Sequence, residues 1–302
     1  TYSRQMRIGY VGLGRMGLRM VQRLLMRHQV VAYDIDEEAV RKAGALGAEP
    51  AKTLERLASR LEAPRVVWIM VPAGDPVEQV IRELEPGLDE GDILVDGGNS
   101  HYKDSVRRAE RLKEKGVRYL DVGTSGGLEG AEQGTSLTIG GPRDAYEEIK
   151  PLLEDVAREG AHLYCGPSGA GHYVKMVHNG VEYAMLQSIG EGFEMLEGGP
   201  YDLDLAAVAD VWNNGCVIRS WMLGLAGEAF RKDPRLGSLR GLVGGGETGR
   251  WAVEAALEQE TPTPVIALSL MMRYRSRQAD TFAGRVVAAI RREFGGHPVK
   301  TM

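Results

Sequence analysis

One segment of the sequence brings several reactive side chains together at helical spacing. It reads KMVHNGVEY, from Lys175 to Tyr183. Each helical residue turns by about 100°, so Lys175, His178, Asn179, Glu182 and Tyr183 would share an arc of about 140°. An amine, an imidazole, an amide and a carboxylate aimed at one spot can take a proton, orient an oxygen and return a proton. The alternative is a solvated helix face with an ordinary Glu/Lys pair.

The first half of the chain alternates short β-rich runs with amphipathic segments, a pattern typical of a parallel sheet covered by helices. A helix is predicted to begin after Pro142, and the strand pattern ends at Gly166-Pro167-Ser168-Gly169. We therefore predict an α/β, doubly wound parallel sheet over residues 1–167 and an all-helical substrate-binding and oligomerisation domain over residues 168–302. The predicted strands are Met6–Val11, Val30–Tyr33, Val66–Val71, Ile93–Val95, Tyr119–Val122, Ser136–Ile139 and Ala161–Tyr164.

A glycine-rich turn after the first predicted strand has the spacing of a dinucleotide site. Gly12-Leu13-Gly14-Arg15-Met16-Gly17 fits the Rossmann pattern GxGxxG, in which glycines allow a tight turn and close approach of a pyrophosphate. Asp34 follows the second strand, 22 residues after Gly12, where a carboxylate binds ribose hydroxyls. Because this carboxylate would repel a 2′-phosphate, the predicted cofactor is NAD rather than NADP. A structural glycine turn is the alternative.

Further stretches that end predicted strands should line the same crevice, because the carboxyl ends of parallel strands meet at one edge of the sheet. Val71-Pro72-Ala73-Gly74 is predicted to contact the cofactor. Asn99, in Asp96-Gly97-Gly98-Asn99-Ser100, and Ser125, in Thr124-Ser125-Gly126-Gly127-Leu128-Glu129-Gly130, offer directional hydrogen bonds to a ligand. Taken singly, each stretch is also explained as a plain turn.

Composition narrows the class of partner. The 302 residues carry a formal charge of −5 without a long basic run, which argues against nucleic acid or an anionic membrane as the partner. Cys165 and Cys216 form no framework of disulfides or Cys/His cluster, so no metal is predicted and the cytoplasm is expected. We find no secretory signal pattern and no apolar run near the roughly 20 residues that cross a bilayer.

Five motifs together identify a family. DGGNS, TSGGLEGA, KMVHNGVEY, ETGRW and the FGGH near the end resemble 6-phosphogluconate dehydrogenase, the decarboxylating enzyme of the pentose phosphate pathway, over essentially the whole chain. GxGxxG, and a lysine followed four residues later by asparagine, are shared with the wider β-hydroxyacid dehydrogenases. DGGNS and HNGVEY are far more specific. The chain resembles the short form, without the second helical block of long members.

The resemblance implies a role for each matching residue. Lys175 corresponds to the base that takes the C3 hydroxyl proton, and Glu182 to the acid that protonates C1 after decarboxylation. The substrate-holding positions are His178, Asn179, Asn99, Ser125, Gly126 and Gly127. The positions that bind the 6-phosphate are Tyr183, Thr248 and Arg273. Arg291 and His297 match a pair that reaches an active site from a neighbouring subunit, which implies a homo-oligomer, either a dimer or a tetramer.

The chemistry agrees with these implied roles. Oxidation at C3 makes a β-keto acid, whose decarboxylation needs a donor that polarises the new carbonyl, and a protonated lysine can supply it in place of a metal.

The sequence departs from the family pattern in the predicted phosphate-binding turn. Long members have a lysine where this chain has Gly246, and Arg250 or Arg219 could compensate for the lost cation. The glycine stretch Gly241–Gly246 is otherwise a flexible connector between two helical segments. Arg275 and Arg277 are predicted to be exposed to solvent.

Two rival functions stay open. One is a β-hydroxyacid dehydrogenase that oxidises a small unphosphorylated acid without decarboxylation. The other is a nucleotide-binding sensor that has lost turnover, which would bind cofactor and form no NADH.

Overall fold

The computed structural model describes residues 5–295, 298 and 300, with no side-chain detail at 294 and 295. The chain divides into two compact units, and the division falls between His178 and Asn179, inside one long helix. The boundary expected after residue 167 stays a prediction. Among the described residues, no helix is long and apolar enough to cross a membrane.

The first unit is built on a sheet whose described strands are 8 in number, in the order β3-β2-β1-β4-β5-β6-β7-β8. All neighbouring pairs are parallel except β6 and β7. The strands are β1 Arg7–Val11, β2 Gln29–Tyr33, β3 Glu49–Pro50, β4 Val66–Ile69, β5 Ile93–Asp96, β6 Arg118–Ser125, β7 Thr135–Gly140 and β8 Ala157–Gly166.

The antiparallel pair was not predicted from the alternation of strands and helices. Its cause is the short connection over residues 126–134, because a parallel crossover needs about a dozen or more residues. The predicted doubly wound α/β fold is otherwise confirmed, with one edge of the sheet mixed rather than purely parallel.

Helices cover both faces of this sheet. The helices of the first unit are α1 Arg15–Leu24, α2 Glu37–Ala45, α3 Leu54–Ser59, α4 Asp75–Leu84, α5 Tyr102–Lys113, α6 Gly127–Gln133 and α7 Arg143–Val156. α1 and α7 pack with Tyr10 and Trp68 on one face, and α3, α4 and α5 pack with Val67 and Leu94 on the other. Strand residues alternate between these two apolar clusters, as a sheet buried on both sides requires.

The long helix α8, Ala170–Glu197, passes from the first unit into the second, and the second unit is helical. Its small core gathers aromatic rings, with the Phe193 and Phe230 centroids 4.8 Å apart. The remaining helices are α9 Leu205–Trp212, α10 Trp221–Lys232, α11 Glu247–Glu258, α12 Pro264–Arg275 and α13 Phe282–Gly295. The prediction of an all-helical second region is confirmed.

Candidate active site

The glycine-rich turn after β1 has the geometry that a dinucleotide site requires. Gly12 has φ of 101°, and a Cβ there would lie 2.1 Å from the carbonyl oxygen of Met70. A Cβ on Gly17 would lie 2.1 Å from the oxygen of Gly12, so this glycine lets α1 pack directly on the turn. A Cβ on Gly14 would stand in open space, directly before Arg15 at the start of α1. The turn therefore leaves room for a phosphate at the positive end of α1.

Asp34 closes this turn from the neighbouring strand. One of its carboxylate oxygens accepts from the backbone N–H of Leu13 at 2.6 Å, and the other accepts from Asp36 at 2.8 Å. A carboxylate has about four acceptor positions, so these two bonds leave capacity for ribose hydroxyls. The residues present thus fit the adenosine half of a dinucleotide.

The connection after β4 starts earlier than predicted. The strand ends at Ile69 rather than Val71, because Pro72 cannot donate to a ladder and restricts the residue before it. Val71, Pro72 and Ala73 therefore all lie in the loop between β4 and α4. The carbonyl of Val71 would be 2.8 Å from a Cβ on Gly98, so this loop and the DGGNS loop touch through their backbones.

A buried polar network holds both of these loops. The Asp96 carboxylate accepts from the hydroxyls of Ser100 at 2.6 Å and Tyr119 at 2.7 Å. The Arg108 guanidinium lies 3.5 Å from the same carboxylate and donates to the Gly74 carbonyl at 3.4 Å. Burial, together with the Asp96 charge, raises the pKa of the Tyr119 phenol well above its ordinary value, so it stays a donor.

Sequence reasoning missed Arg108 and Tyr119. The signal was an arginine in an apolar stripe: Ser105, Arg108 and Leu112 are all buried at helical spacing on α5. A buried cation at such a position requires an anion, here Asp96 and Glu78. Asn99, the residue expected to contact the ligand, stays exposed in the loop that this network supports.

Lys175 meets Ser125 in the first unit. Its ammonium donates to the Ser125 hydroxyl at 2.8 Å, and both side chains are half-buried. Ser125 was predicted to lie in a loop after a strand ending at Val122, and that boundary is wrong. β6 continues through Ser125 because β7 pairs with it up to Ser136. Gly126, with φ of 123°, makes the turn, and Gly127 is the first residue of α6.

A second group lies in the helical unit, and we call Asn179, Tyr183, Thr248 and Arg273 the Thr248 cluster. Asn179 donates to the Thr248 hydroxyl at 3.0 Å, and the Tyr183 hydroxyl lies 3.3 Å from the same oxygen. The Arg273 guanidinium stacks over the Tyr183 ring, 3.6 Å from its centroid. This combination of a cation, two hydroxyls and an amide can bind an anionic oxygen group.

The glycine stretch 241–246, which we call the glycine loop, is braced by side chains at the end of α12. Arg273 donates to the carbonyl of Gly244 at 3.0 Å, and Ser276 accepts from the N–H of Val243 at 3.0 Å. Arg277 donates to the carbonyls of Val243 and Gly245. Arg277 is exposed, as predicted, and nevertheless fixes the loop. Gly246, with φ of 126°, directly precedes α11.

Within the described part of the chain, no hydrogen bond or ion pair joins Arg250 or Arg219, the two arginines proposed to replace the missing lysine, to the Thr248 cluster. Arg250 pairs with Glu254 at 3.5 Å, and Arg219 donates to the carbonyl of Cys216.

The remaining described site residues lie on helices α8 and α13. On α8, Glu182 is half-buried and His178 is exposed. Arg291 is exposed on α13, and within residues 5–295 no hydrogen bond or ion pair joins it to the Thr248 cluster. His297 lies outside the described residues. In the described part of the chain, no group of His, Cys, Asp or Glu is arranged to hold a metal ion.

The sheet with its glycine-rich turn defines a dinucleotide-binding oxidoreductase. Residues 7–166 match the NAD binding domain of 6-phosphogluconate dehydrogenase, and residues 171–200 match the 6-phosphogluconate dehydrogenase C-terminal domain. The chain belongs to the 6-phosphogluconate dehydrogenase family. It is 52% identical over 297 residues to the NAD(+)-dependent, decarboxylating 6-phosphogluconate dehydrogenase of Haloferax volcanii, covering 97% of this chain and 98% of the relative.

Two solved structures are similar to this chain. The Plasmodium falciparum 6-phosphogluconate dehydrogenase, described with its cofactor NADP+ and its substrate 6-phosphogluconate, has a TM-score of 0.83 and 30% identity. The match covers 98% of this chain and 66% of the Plasmodium chain. The 3-hydroxyisobutyrate dehydrogenase of Mycobacterium tuberculosis, at 21% identity, shares the fold, with a TM-score of 0.74 and coverage of 95% of this chain and 100% of that one.

Proposed function

We propose that this protein oxidises and decarboxylates 6-phosphogluconate to ribulose 5-phosphate and CO2, with NAD as the electron acceptor. The observation that carries the proposal is the 2.8 Å bond between the Lys175 amine and the Ser125 hydroxyl. An amine held by a hydroxyl at the end of a sheet strand is placed to exchange a proton with a substrate alcohol. The sequence similarity to the Haloferax enzyme supports the same reaction.

Lys175 has two roles in this reaction. As a base it takes the proton from the C3 hydroxyl, and as an ammonium it then donates a hydrogen bond to the new C3 carbonyl. As the bond between C2 and the C1 carboxylate breaks, its electrons move toward the C3 oxygen, the ammonium returns its proton to that oxygen, and CO2 leaves an enediol. NAD, when bound, supplies the acceptor for the C3 hydride. Glu182, two turns along α8, then protonates the carbon that lost CO2, which is the former C2 and becomes C1 of ribulose 5-phosphate, while Lys175 takes back the proton of the enediol hydroxyl.

The other predicted residues orient the substrate in this proposal. Asn99, Ser125, Gly126, Gly127, His178 and Asn179 hold the sugar acid. The Thr248 cluster binds the 6-phosphate, where the charge of Arg273 and the hydroxyls of Tyr183 and Thr248 complement the anion. In this proposal, Arg291 and His297 of a neighbouring subunit complete the site that binds the 6-phosphate.

Asp34 supports NAD over NADP. Its carboxylate stands at the end of β2 and would repel the 2′-phosphate of NADP. Because the relatives include a named NAD(+)-dependent enzyme and one described with NADP+, the preference has to be measured in this chain. The ratio of kcat/KM values with the two cofactors tests it, and a clear preference for NADP would contradict the assignment.

One assay tests the reaction as a whole. Purified protein is mixed with 6-phosphogluconate and NAD, and reduced cofactor and CO2 are followed together. Equal yields of NADH and CO2 are expected. Lys175→Met should lower kcat by about 10²–10⁴-fold, the usual contribution of a general acid or base. Near-normal turnover in this variant would overturn the proposal, whereas Glu182→Gln should impair C1 protonation more than hydride transfer.

A non-decarboxylating β-hydroxyacid dehydrogenase remains the second candidate. It is favoured by Gly246, which supplies no cation, and by the bond of Arg273 to Gly244, which engages part of its guanidinium. Activity on gluconate or 3-hydroxyisobutyrate that exceeds activity on 6-phosphogluconate would select this candidate. NADH formation without CO2 would do the same, and cofactor binding without any NADH would indicate a sensor.

We also propose that the protein acts as a cytoplasmic homo-oligomer, a dimer or a tetramer. α8 exposes Val174, Val177, Val181 and Met185 at helical spacing, each 39–46% exposed, which is typical of a helix that packs against another chain. Light scattering of the active enzyme measures the subunit number. A fully active monomer would exclude a site completed by a neighbour.

A further inference from the structure

Alternate residues of β6 meet the beginning of α8. Asp121, Gly123 and Ser125 lie on the same face of the strand, because side chains alternate between faces. Asp121 binds the start of the helix, Gly123 lies against Gly171 and Lys175, and Ser125 accepts from the Lys175 amine. One strand face thus contacts the helix at successive points.

Asp121 acts as a remote cap for α8. Its two carboxylate oxygens accept from the N–H of Gly169 at 2.8 Å and of His172 at 2.9 Å. Gly169 directly precedes α8, and His172 is the third residue of the helix. The N–H groups at these two positions are usually bonded by capping side chains from the helix itself. Gly169 has no side chain to do this. Asp121 is 0% exposed, so its negative charge faces the positive end of the helix at low dielectric.

Backbone contacts then prevent the helix from sliding. A Cβ on Gly171 would lie 2.3 Å from the Asp121 carbonyl oxygen, and one on Gly123 would lie 2.5 Å from the Lys175 Cβ. The Thr138 hydroxyl on β7 also donates to the Gly171 carbonyl at 2.9 Å. Close approach of this kind leaves a small shift of α8 no free space.

We propose that Asp121 is the positioning residue for Lys175. By fixing the first turn of α8 in rotation and in height, it places the amine, one turn further on, at the hydroxyl of Ser125. Asp121 and Ser125 belong to the same strand, β6. The distance between them along this strand therefore sets where the Lys175 amine lies relative to the Ser125 hydroxyl. The inference rests on the proposed function for its kinetic readout, and a chemical readout is independent of it.

The central variant is Asp121→Asn, which keeps the shape of the side chain. One carboxylate oxygen that accepts from a backbone N–H is replaced by an amide NH2, which is a donor and cannot accept from it. We expect kcat to fall by about 10–100-fold, the loss that a displaced catalytic group typically produces. The KM for 6-phosphogluconate and the Kd for NAD should change by less than about threefold, because the variant leaves in place the groups that bind the substrate and the cofactor before reaction.

Asp92→Asn is the control for a buried carboxylate away from Lys175, and the Asp92 carboxylate also lies 3.0 Å from the Arg65 guanidinium. Asp92 is also 0% exposed and also accepts from two backbone N–H groups, those of Arg65 at 2.6 Å and Asp89 at 2.8 Å. It stands at the opposite, amino end of β5, where the strand begins. The control should lower thermal stability and leave kcat unchanged. A similar fall of kcat in both variants would mean that Asp121 has a general structural role.

A double-mutant cycle separates positioning from stability. If Asp121 acts by holding the amine at Ser125, the kcat loss of Asp121→Asn combined with Ser125→Ala should be clearly smaller than the product of the two single losses. Losses that multiply would overturn the proposal. If Asp121→Asn does not fold, Thr138→Val takes its place in the cycle, with a smaller loss and the same non-additivity expected.

The independent readout is the acetylation rate of Lys175 by acetic anhydride, followed by peptide mass. Release from Ser125 should raise this rate in Asp121→Asn and leave it unchanged in Asp92→Asn. If wild-type protein does not oxidise 6-phosphogluconate but the acetylation rate rises, the proposed function fails and the positioning role stands. An unchanged rate with an active wild type would reject the positioning role.

Discussion

The two predicted ligand-binding regions are held in opposite ways. At the junction of β6 and α8, glycines bring backbone against backbone and a buried carboxylate caps the helix. The backbone of the glycine loop in the helical unit is instead held by hydrogen bonds to the side chains of Arg273, Ser276 and Arg277. Of these three residues, Arg277 is exposed. We infer that the backbone contacts fix the Lys175 amine in one position. The position of the glycine loop instead depends on the side chains of Arg273, Ser276 and Arg277.

The largest effect is expected from filling the space at the junction. In Gly171→Ala the new Cβ would meet three backbone atoms, at 2.3, 2.5 and 2.7 Å, none of which can rotate away. We expect a loss of about 1–3 kcal/mol or more in the free energy of unfolding, as in other overpacked sites. Thermal unfolding and kcat should both fall.

Gly190→Ala, in the same helix, is the control for this prediction. A Cβ there has open space, so the exchange should raise the free energy of unfolding by about 0.5–1 kcal/mol through helix propensity. Equal stabilities of the two variants would show that the junction is not tightly packed.

A smaller effect is expected at the glycine loop. Arg277→Gln removes the guanidinium that donates to Val243 and Gly245, while the loop keeps its bonds to Arg273 and Ser276. If this loop supports phosphate binding, the KM for 6-phosphogluconate should rise by about three- to tenfold, the order of one charge-assisted hydrogen bond, with kcat little changed. Steady-state kinetics measures both.

Arg275→Gln provides the comparison for Arg277. Arg275 is exposed at the end of α12 and donates to the carbonyl of Gln278, so it does not brace the loop. Its KM should equal that of the wild type. A kcat loss in Arg277→Gln without a KM change would contradict the contrast between the two regions.

The smallest effect is expected from Ser276→Ala. The Ser276 hydroxyl accepts from Val243 at 3.0 Å and donates to the carbonyl of Arg273 at 2.7 Å. Because water can replace a hydroxyl at this surface, the loss should be at most about 1 kcal/mol in stability. Hydrogen exchange at Val243 should increase while thermal unfolding hardly moves. Unchanged exchange would mean that the arginines hold the loop without the serine.

Much of the fold follows from the sequence. Apolar runs predicted the strands to within a few residues, apart from β3, which is two residues long and too short to show alternation. The local spacing of GxGxxG predicted the turn after β1, and the Rossmann pattern, which places an acidic residue about 20 residues further on, predicted Asp34 beside it. The extension of β6 to Ser125 depends on pairing with β7, which hydrophobic periodicity does not encode. That extension shortens the connection to residues 126–134, and the short connection in turn sets the antiparallel direction of β7.

The site shows the same limit. Lys175, Asn179, Glu182 and Tyr183 could be proposed as site residues because one helix carries them at regular spacing. Asp121 went unnoticed, because its partners lie 48 and 51 residues away, so no sequence spacing marks it. The bonds of Arg277 to the glycine loop were hidden for the same reason, across 34 and 32 residues.

Arg108, which is 1% exposed, links Gly74, at the end of the loop after β4, to Asp96, the last residue of β5 before the DGGNS loop. Removing one partner of a buried ion pair typically costs about 3–5 kcal/mol, so loss of Arg108 would leave the Asp96 carboxylate less well paired and would also remove the bond to the Gly74 carbonyl. If the two loops contact the cofactor as proposed, a change of preference between NAD and NADP is therefore expected from substitutions at the end of β2, around Asp34, rather than within these loops.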